Sequence, residues 1–141
     1  MKFARGAKVF VRRASDGKYL VLTGSVWPER PDRSQKPDLP GGLVEAGETH
    51  TKGLVRELQE ETGIVVAESD LVEVYHRNLI MPSRLARLDL RVYVLDVVVD
   101  TISISWEHES YRWCSREELG RLDIRQPYRH LIEKLLKKGT L

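Results

Sequence analysis

Three carboxylates, Glu57, Glu60 and Glu61, stand at i, i+3 and i+4, a spacing that brings side chains to one face of a helix. Like charges at that spacing repel by about a few tenths of a kcal/mol per pair, so a counter-cation would repay the arrangement. Clustered carboxylate oxygens suit hard divalent ions such as Mg²⁺ or Mn²⁺, which take oxygen ligands in preference to nitrogen or sulfur. An ion held there would bridge protein and phosphate. The same spacing also describes a charged, solvated helix face, and alone it does not separate the two readings. Arg56 adjoins the group, and a guanidinium beside several carboxylates offsets their repulsion and fixes their geometry through paired hydrogen bonds. That makes Arg56 a structural residue rather than a substrate contact.

These side chains need a helix beneath them. From about Thr49 to Thr62, Leu54, Val55 and Leu58 fall on one side and the glutamates on another, and Gly63 stands where a helix cap is expected. Gly53 inside that helix costs about 1 kcal/mol relative to Ala, which close packing or tolerated weakness would explain equally. Upstream, Ala7 to Val11 and Tyr19 to Leu22 read as strands of a hairpin turning at Asp16 and Gly17. Trp27 to Pro40 carries four prolines among charged residues and reads as an irregular loop leading into Gly41 and Gly42. Downstream, Leu71 to Tyr75 reads as a strand, and Leu88, Leu90, Val92 and Val94 alternate with Asp89, Arg91 and Tyr93 as in a sheet with one buried face. Ser115 with Glu118 is a capping-box pattern, and Tyr128, Leu131, Ile132, Leu135 and Leu136 form the stripe of a last helix starting near Pro127. The expectation is an α/β domain with helices packed on a mixed sheet.

Composition bounds the rest. The 141 residues suit one domain, residues 1–141, with a single core. Lys and Arg number 23 against 21 Asp and Glu, too even a balance for a dedicated nucleic-acid binder, so an anionic partner is recognised locally. The lone Cys114 excludes an intramolecular disulfide and a multi-cysteine zinc site and reads as packing. Charges interrupt every apolar run: Lys2, Arg5, Lys8, Arg12 and Arg13 at the N-terminus, and Asp89, Arg91 and Asp96 between Leu88 and Val99. Neither a signal-peptide core nor a membrane span is expected, and the cytoplasm is the default location.

Context decides between the two readings of the glutamates. Five residues separate Gly42 from Glu48 and seven separate Glu48 from Arg56, after which come Glu57, Leu58, Gln59, Glu60, Glu61, Thr62, Gly63 and Ile64. This resembles the Nudix box at every fixed position, a match that chance would give with a probability of roughly 10⁻⁶ in a chain of this length. The resemblance covers the 23 residues from Gly42 to Ile64 and implies an α/β/α sandwich with a mixed sheet. It also implies a metal-dependent pyrophosphohydrolase that cleaves a nucleoside diphosphate linked to another moiety, with nucleoside triphosphate to monophosphate and pyrophosphate as the first substrate reading. Glu57, Glu60, Glu61 and the Gly42 carbonyl are implied as metal ligands for Mg²⁺ or Mn²⁺, with Arg56 and Glu48 positioning them and Glu60 central to catalysis.

Outside the box, the segment from Trp106 to Trp113 resembles the loop that supplies many Nudix enzymes with a further glutamate. By that resemblance Glu107 is the first candidate for metal ligand or general base and Glu109 the second; two exposed loop carboxylates are the alternative. His108 reads as a proton shuttle or a packing residue, Trp27 and Tyr111 as base-stacking or rim residues, and Arg30, Arg33 and Lys36 as phosphate contacts or a solvated charged loop. Pro82 falls a few residues later than the mark of ADP-ribose hydrolases, and the tyrosine of dinucleoside polyphosphate hydrolases is missing. The expected partner is a small nucleotide rather than a capped RNA or other large nucleic acid; a homodimer is left open. A nucleotide sensor on the same fold is the rival reading. An isopentenyl diphosphate isomerase is disfavoured because Cys114 lies so far along the chain.

Overall fold

A computed structural model describes residues 2–81, 85–99 and 101–141; the Pro82 mark lies outside them. The chain runs β1 (Lys2–Arg13), β2 (Tyr19–Gly24), β3 (Pro37–Asp38), β4 (Gly41–Leu43), α1 (His50–Thr62), a 3₁₀ turn (Glu68–Asp70), β5 (Val72–Met81), β6 (Ala86–Val97), β7 (His108–Cys114), α2 (Arg116–Gly120) and α3 (Tyr128–Lys138). The sheet is mixed. β1 pairs in parallel with β6 from Lys2↔Ala86 to Arg13↔Val97, whereas β4 and β2 pair with β1 antiparallel. β5 flanks β6, and β3 and β7 flank β2.

Helices cover both faces. α1 contributes Leu54 and Leu58 to a core with Val9, Val11, Leu20, Leu22, Tyr93 and Leu95. The opposite core joins Leu119 of α2 and Leu131, Ile132 and Leu135 of α3 to Phe10, Tyr19, Val21, Val92 and Val94. Alternate residues of one strand thus enter opposite cores, which is the expected α/β/α sandwich. It corrects one reading: β6 is buried on both faces from Val92 to Leu95, because helices lie on each side of this central strand.

Two short strands, β3 and β4, break up the segment that its prolines mark as irregular. Two residues of β3 pair with Leu22 and Thr23, and β4 lays Gly41, Gly42 and Leu43 against Lys8, Ala7 and Gly6. Pairings this short leave no periodicity to read. The segment from Trp106 is likewise a turn only as far as Glu107, after which His108–Cys114 pairs with β2. Thr49 caps α1 by accepting from the Lys52 N–H, and Gly63 ends it at φ 76°. No helix among the described residues is long and apolar enough to cross a membrane.

Candidate active site

The site forms where β4 runs into the loop before α1. Gly41 enters at φ 126°, and a Cβ there would lie 2.1 Å from the Ala7 carbonyl oxygen, so only glycine lets β4 approach β1 this closely. At Gly42 a Cβ would meet the Glu57 carboxylate at 3.2 Å. The backbone of β4 is therefore pressed against the acidic face of α1.

Arg56 organises that face. Its Nε and Nη2 donate to both oxygens of Glu48, each at 3.0 Å; Nη1 donates to Glu57 at 3.2 Å and to Glu60 at 3.3 Å, and Nη2 also reaches the Leu43 carbonyl at 3.3 Å. Glu48 in turn accepts from the Glu45 N–H at 2.9 Å. One guanidinium thus ties the loop to the helix, and Arg56 holds the Glu48 carboxyl below its usual range. Gly53 packs into the same joint: a Cβ would come within 3.2 Å of Glu48 Oε1 and 3.3 Å of both Val44 methyls. Close packing, not tolerated weakness, accounts for this mid-helix glycine.

The three glutamates occupy different environments. Glu60 is exposed and Glu57 half-buried, while Glu61 is only 3% exposed. Glu61 Oε1 accepts from the Gly41 N–H at 2.8 Å. Burial pushes its pKa up to about 8, against the pull of Lys8 and of the Gly41 hydrogen bond. Glu57 is raised too, by desolvation first and then by Glu60 and Glu107, despite Arg56. Among the described residues no three His, Cys, Asp or Glu groups converge as a finished metal cage: the Arg56 guanidinium lies between Glu48, Glu57 and Glu60, and Glu61 is turned to Gly41.

The turn before β7 completes the site. Glu107 is half-buried and its charge acts on Glu57, whereas Glu109 is exposed on β7. His108 is buried between them, its Nε2 3.7 Å from Glu61 Oε2 and its Nδ1 without a hydrogen-bond partner. Burial lowers its pKa, so the ring is neutral at pH 7. Trp106, 77% exposed, stacks on Trp27 at 5.8 Å with 23° between planes, and Arg33 lies over the Trp27 ring. Of the loop cations, Arg30 pairs with Asp32 and Lys36 with Asp123. Sequence reasoning missed three partnerships: the Trp27–Trp106 stack, the His108–Glu61 contact and a buried Lys8–Asp38 pair. Only Lys8, a charge within an apolar strand, left a signal.

Residues 2–135 match the family model of the NUDIX domain; the chain belongs to the Nudix family. Similarity extends to the asymmetrical bis(5'-nucleosyl)-tetraphosphatase of Mus musculus, 35% identical over 86 residues that make up 59% of this chain and 58% of the relative. The chain thus spans 58% of that relative's length. The CTP pyrophosphohydrolase of Escherichia coli K12 is 31% identical over 103 residues, 73% of this chain and 70% of the relative. Among solved structures, the MutT protein of Methanosarcina mazei Go1 superposes with a TM-score of 0.80 at 26% identity, covering 99% of this chain and 97% of the other.

Proposed function

We propose that the protein hydrolyses the diphosphate linkage of a nucleoside diphosphate derivative, with a nucleoside triphosphate, cleaved to monophosphate and pyrophosphate, as its first substrate. The observation that carries this reading is the joint between β4 and α1, where Gly42 lies against Glu57 and Arg56 gathers Glu48, Glu57 and Glu60. The donor set fits Mg²⁺ or Mn²⁺: it consists of carboxylates and a backbone carbonyl, and the glycine leaves at Gly42 the room a Cβ would fill. Glu57, Glu60, Glu61 and the Gly42 carbonyl would hold the ion, which when bound supplies charge neutralisation for the phosphates and activation of water. Arg56 and Glu48 keep the carboxylates aligned. Glu107 accepts the proton of the attacking water, a role open to a carboxylate whose charge reaches Glu57. Trp27 and Trp106 offer an aromatic face beside Glu107 on which a nucleobase can stack.

The E. coli relative, named for CTP hydrolysis and aligned over 73% of the chain, supports the triphosphate reading. The mouse relative's name favours dinucleoside polyphosphates as the second. A panel of nucleoside triphosphates, dinucleoside tetraphosphates and ADP-ribose, assayed with Mg²⁺ and with Mn²⁺ by chromatography of the products, tests both. Release of monophosphate and pyrophosphate from a triphosphate is expected, and Glu60→Gln is expected to lose most of the turnover while remaining folded. Binding of nucleotides without cleavage would assign the protein to the sensors instead.

A further inference from the structure

β1 is buried without a break from Gly6 to Val11, and Lys8 is the one charged residue in that run. Taking an ammonium out of water is costly and is repaid only by close, well-directed partners; an apolar residue would suit the strand better. Lys8 Nζ has such partners on three residues, with four acceptor oxygens sharing its three N–H groups. It donates to Asp38 Oδ1 and Oδ2 at 3.3 and 3.2 Å, to the Leu39 carbonyl at 2.9 Å and to the Gly41 carbonyl at 3.2 Å. Asp38 is itself buried, accepts from the Leu39 N–H at 2.8 Å, and has Arg125 at 3.5 Å.

Every partner except Arg125 lies between the start of β3 and the start of β4, a corner whose own strand pairings are short. Gly41 is held on both sides, its carbonyl by Lys8 and its N–H by Glu61. The next residue is Gly42, pressed on Glu57. A displacement at Lys8 is therefore transmitted to Gly42 and to Glu61 through a single residue.

We infer that Lys8 is a positioning residue for the metal site: by clamping Asp38 and the Leu39 and Gly41 carbonyls it sets the β4 backbone in register with the glutamates of α1. The inference rests on the proposed metal ligands. Its purpose is preorganisation, since a site held in place before the ion arrives loses less ordering entropy on binding. Lys8 Nζ is engaged by Asp38, Leu39 and Gly41 and acts on the site through the β4 backbone.

The test is Mn²⁺ binding without substrate, followed by the electron paramagnetic resonance signal of the free ion, in wild type and in Lys8→Met/Asp38→Leu. The double variant removes both buried charges and deprives only Arg125, which is partly exposed and lies over the Tyr128 ring, of its carboxylate, so its fold is expected to survive as judged by circular dichroism. It should bind Mn²⁺ at least fivefold more weakly and require correspondingly more Mg²⁺ for half-maximal hydrolysis, with substrate KM at saturating metal changed less than threefold. Mn²⁺ affinity equal to wild type in the folded variant would overturn the inference and leave Lys8 a purely structural residue. If the double variant does not fold, Asp38→Asn carries the test: the clamp loses its charged partner, a loss of at least twofold in Mn²⁺ affinity is expected, and unchanged affinity overturns the inference. Wild type that binds no Mn²⁺ would overturn the metal reading and this inference together, whereas wild type that binds Mn²⁺ but cleaves no nucleotide would remove the proposed substrate class alone.

Discussion

At the scale of single residues, burial distinguishes groups that look alike in the sequence. Glu107 and Glu109 flank His108 in a segment that reads as a loop, and nothing in their types separates them. The turn places Glu107 where its charge raises Glu57, and β7 carries Glu109 into solvent. Glu107→Gln is therefore expected to cut turnover by roughly 10²- to 10⁴-fold, the range for loss of a general base, with little change in KM, and Glu109→Gln to leave it within about twofold. Rates measured across a metal titration read the role. A loss that persists at high metal marks the base, a loss that metal reverses marks a ligand, and wild-type rates in Glu107→Gln would exclude it from both. The box glutamates show the limit of what spacing conveys. It brings Glu57, Glu60 and Glu61 to one helix, yet burial depends on what lies opposite, and the β4 corner that covers Glu61 and not Glu60 has no periodic signature.

Elements divide in the same way. The long ones were legible because their cores impose a period: α1 ends at Gly63 and α3 begins after Pro127, as their stripes and caps predict. The capping box at Ser115 is present and opens α2. What was illegible is β3, β4 and the double burial of β6, since two-residue pairings and two-sided cores erase alternation, together with β7, which reads as a loop, and β5 beyond Tyr75. Gly53 shows how packing overrides a local rule. Helix propensity alone would favour Gly53→Ala by about 1 kcal/mol. The added methyl must instead displace Val44 or Glu48, and Glu48 is fixed by two hydrogen bonds from Arg56. Overpacking typically costs about 1–3 kcal/mol, so a net destabilisation of about 1 kcal/mol is expected by denaturant unfolding, with m unchanged. A stabilised variant would show that the loop before α1 yields freely and is not held by Arg56.

For the molecule as a whole, the acidic site couples fold stability to pH and, through the proposed ion, would couple it to metal. Glu61 titrates near 8 in the folded protein against an ordinary 4.5, so between those values the folded state holds a proton that the unfolded chain releases. Stability from this group is thus lost as pH rises from about 4.5 to 8. Groups shifted the other way act elsewhere: Glu48 and Asp38, held low, weaken the fold only as pH falls below the usual carboxylate range, and His108, lowered from 6.5, adds stability with rising pH only up to about that value. The interval from pH 6.5 to 8 therefore reads chiefly the buried Glu61; Glu57 shifts in the same sense, upward from 4.5. Calorimetric melting in chelator should show Tm falling across that interval in wild type and falling much less in Glu61→Gln. A divalent ion held by the proposed ligands is expected to reverse the trend, because it would bind the ionised carboxylates of the folded state. At a concentration of a hundred times Kd it contributes about 2.7 kcal/mol, and its effect should grow with pH as the proton it displaces becomes easier to remove. Equal slopes in wild type and Glu61→Gln would show that Glu61 ionises as it would in water, and a metal effect independent of pH would detach that carboxylate from the ion.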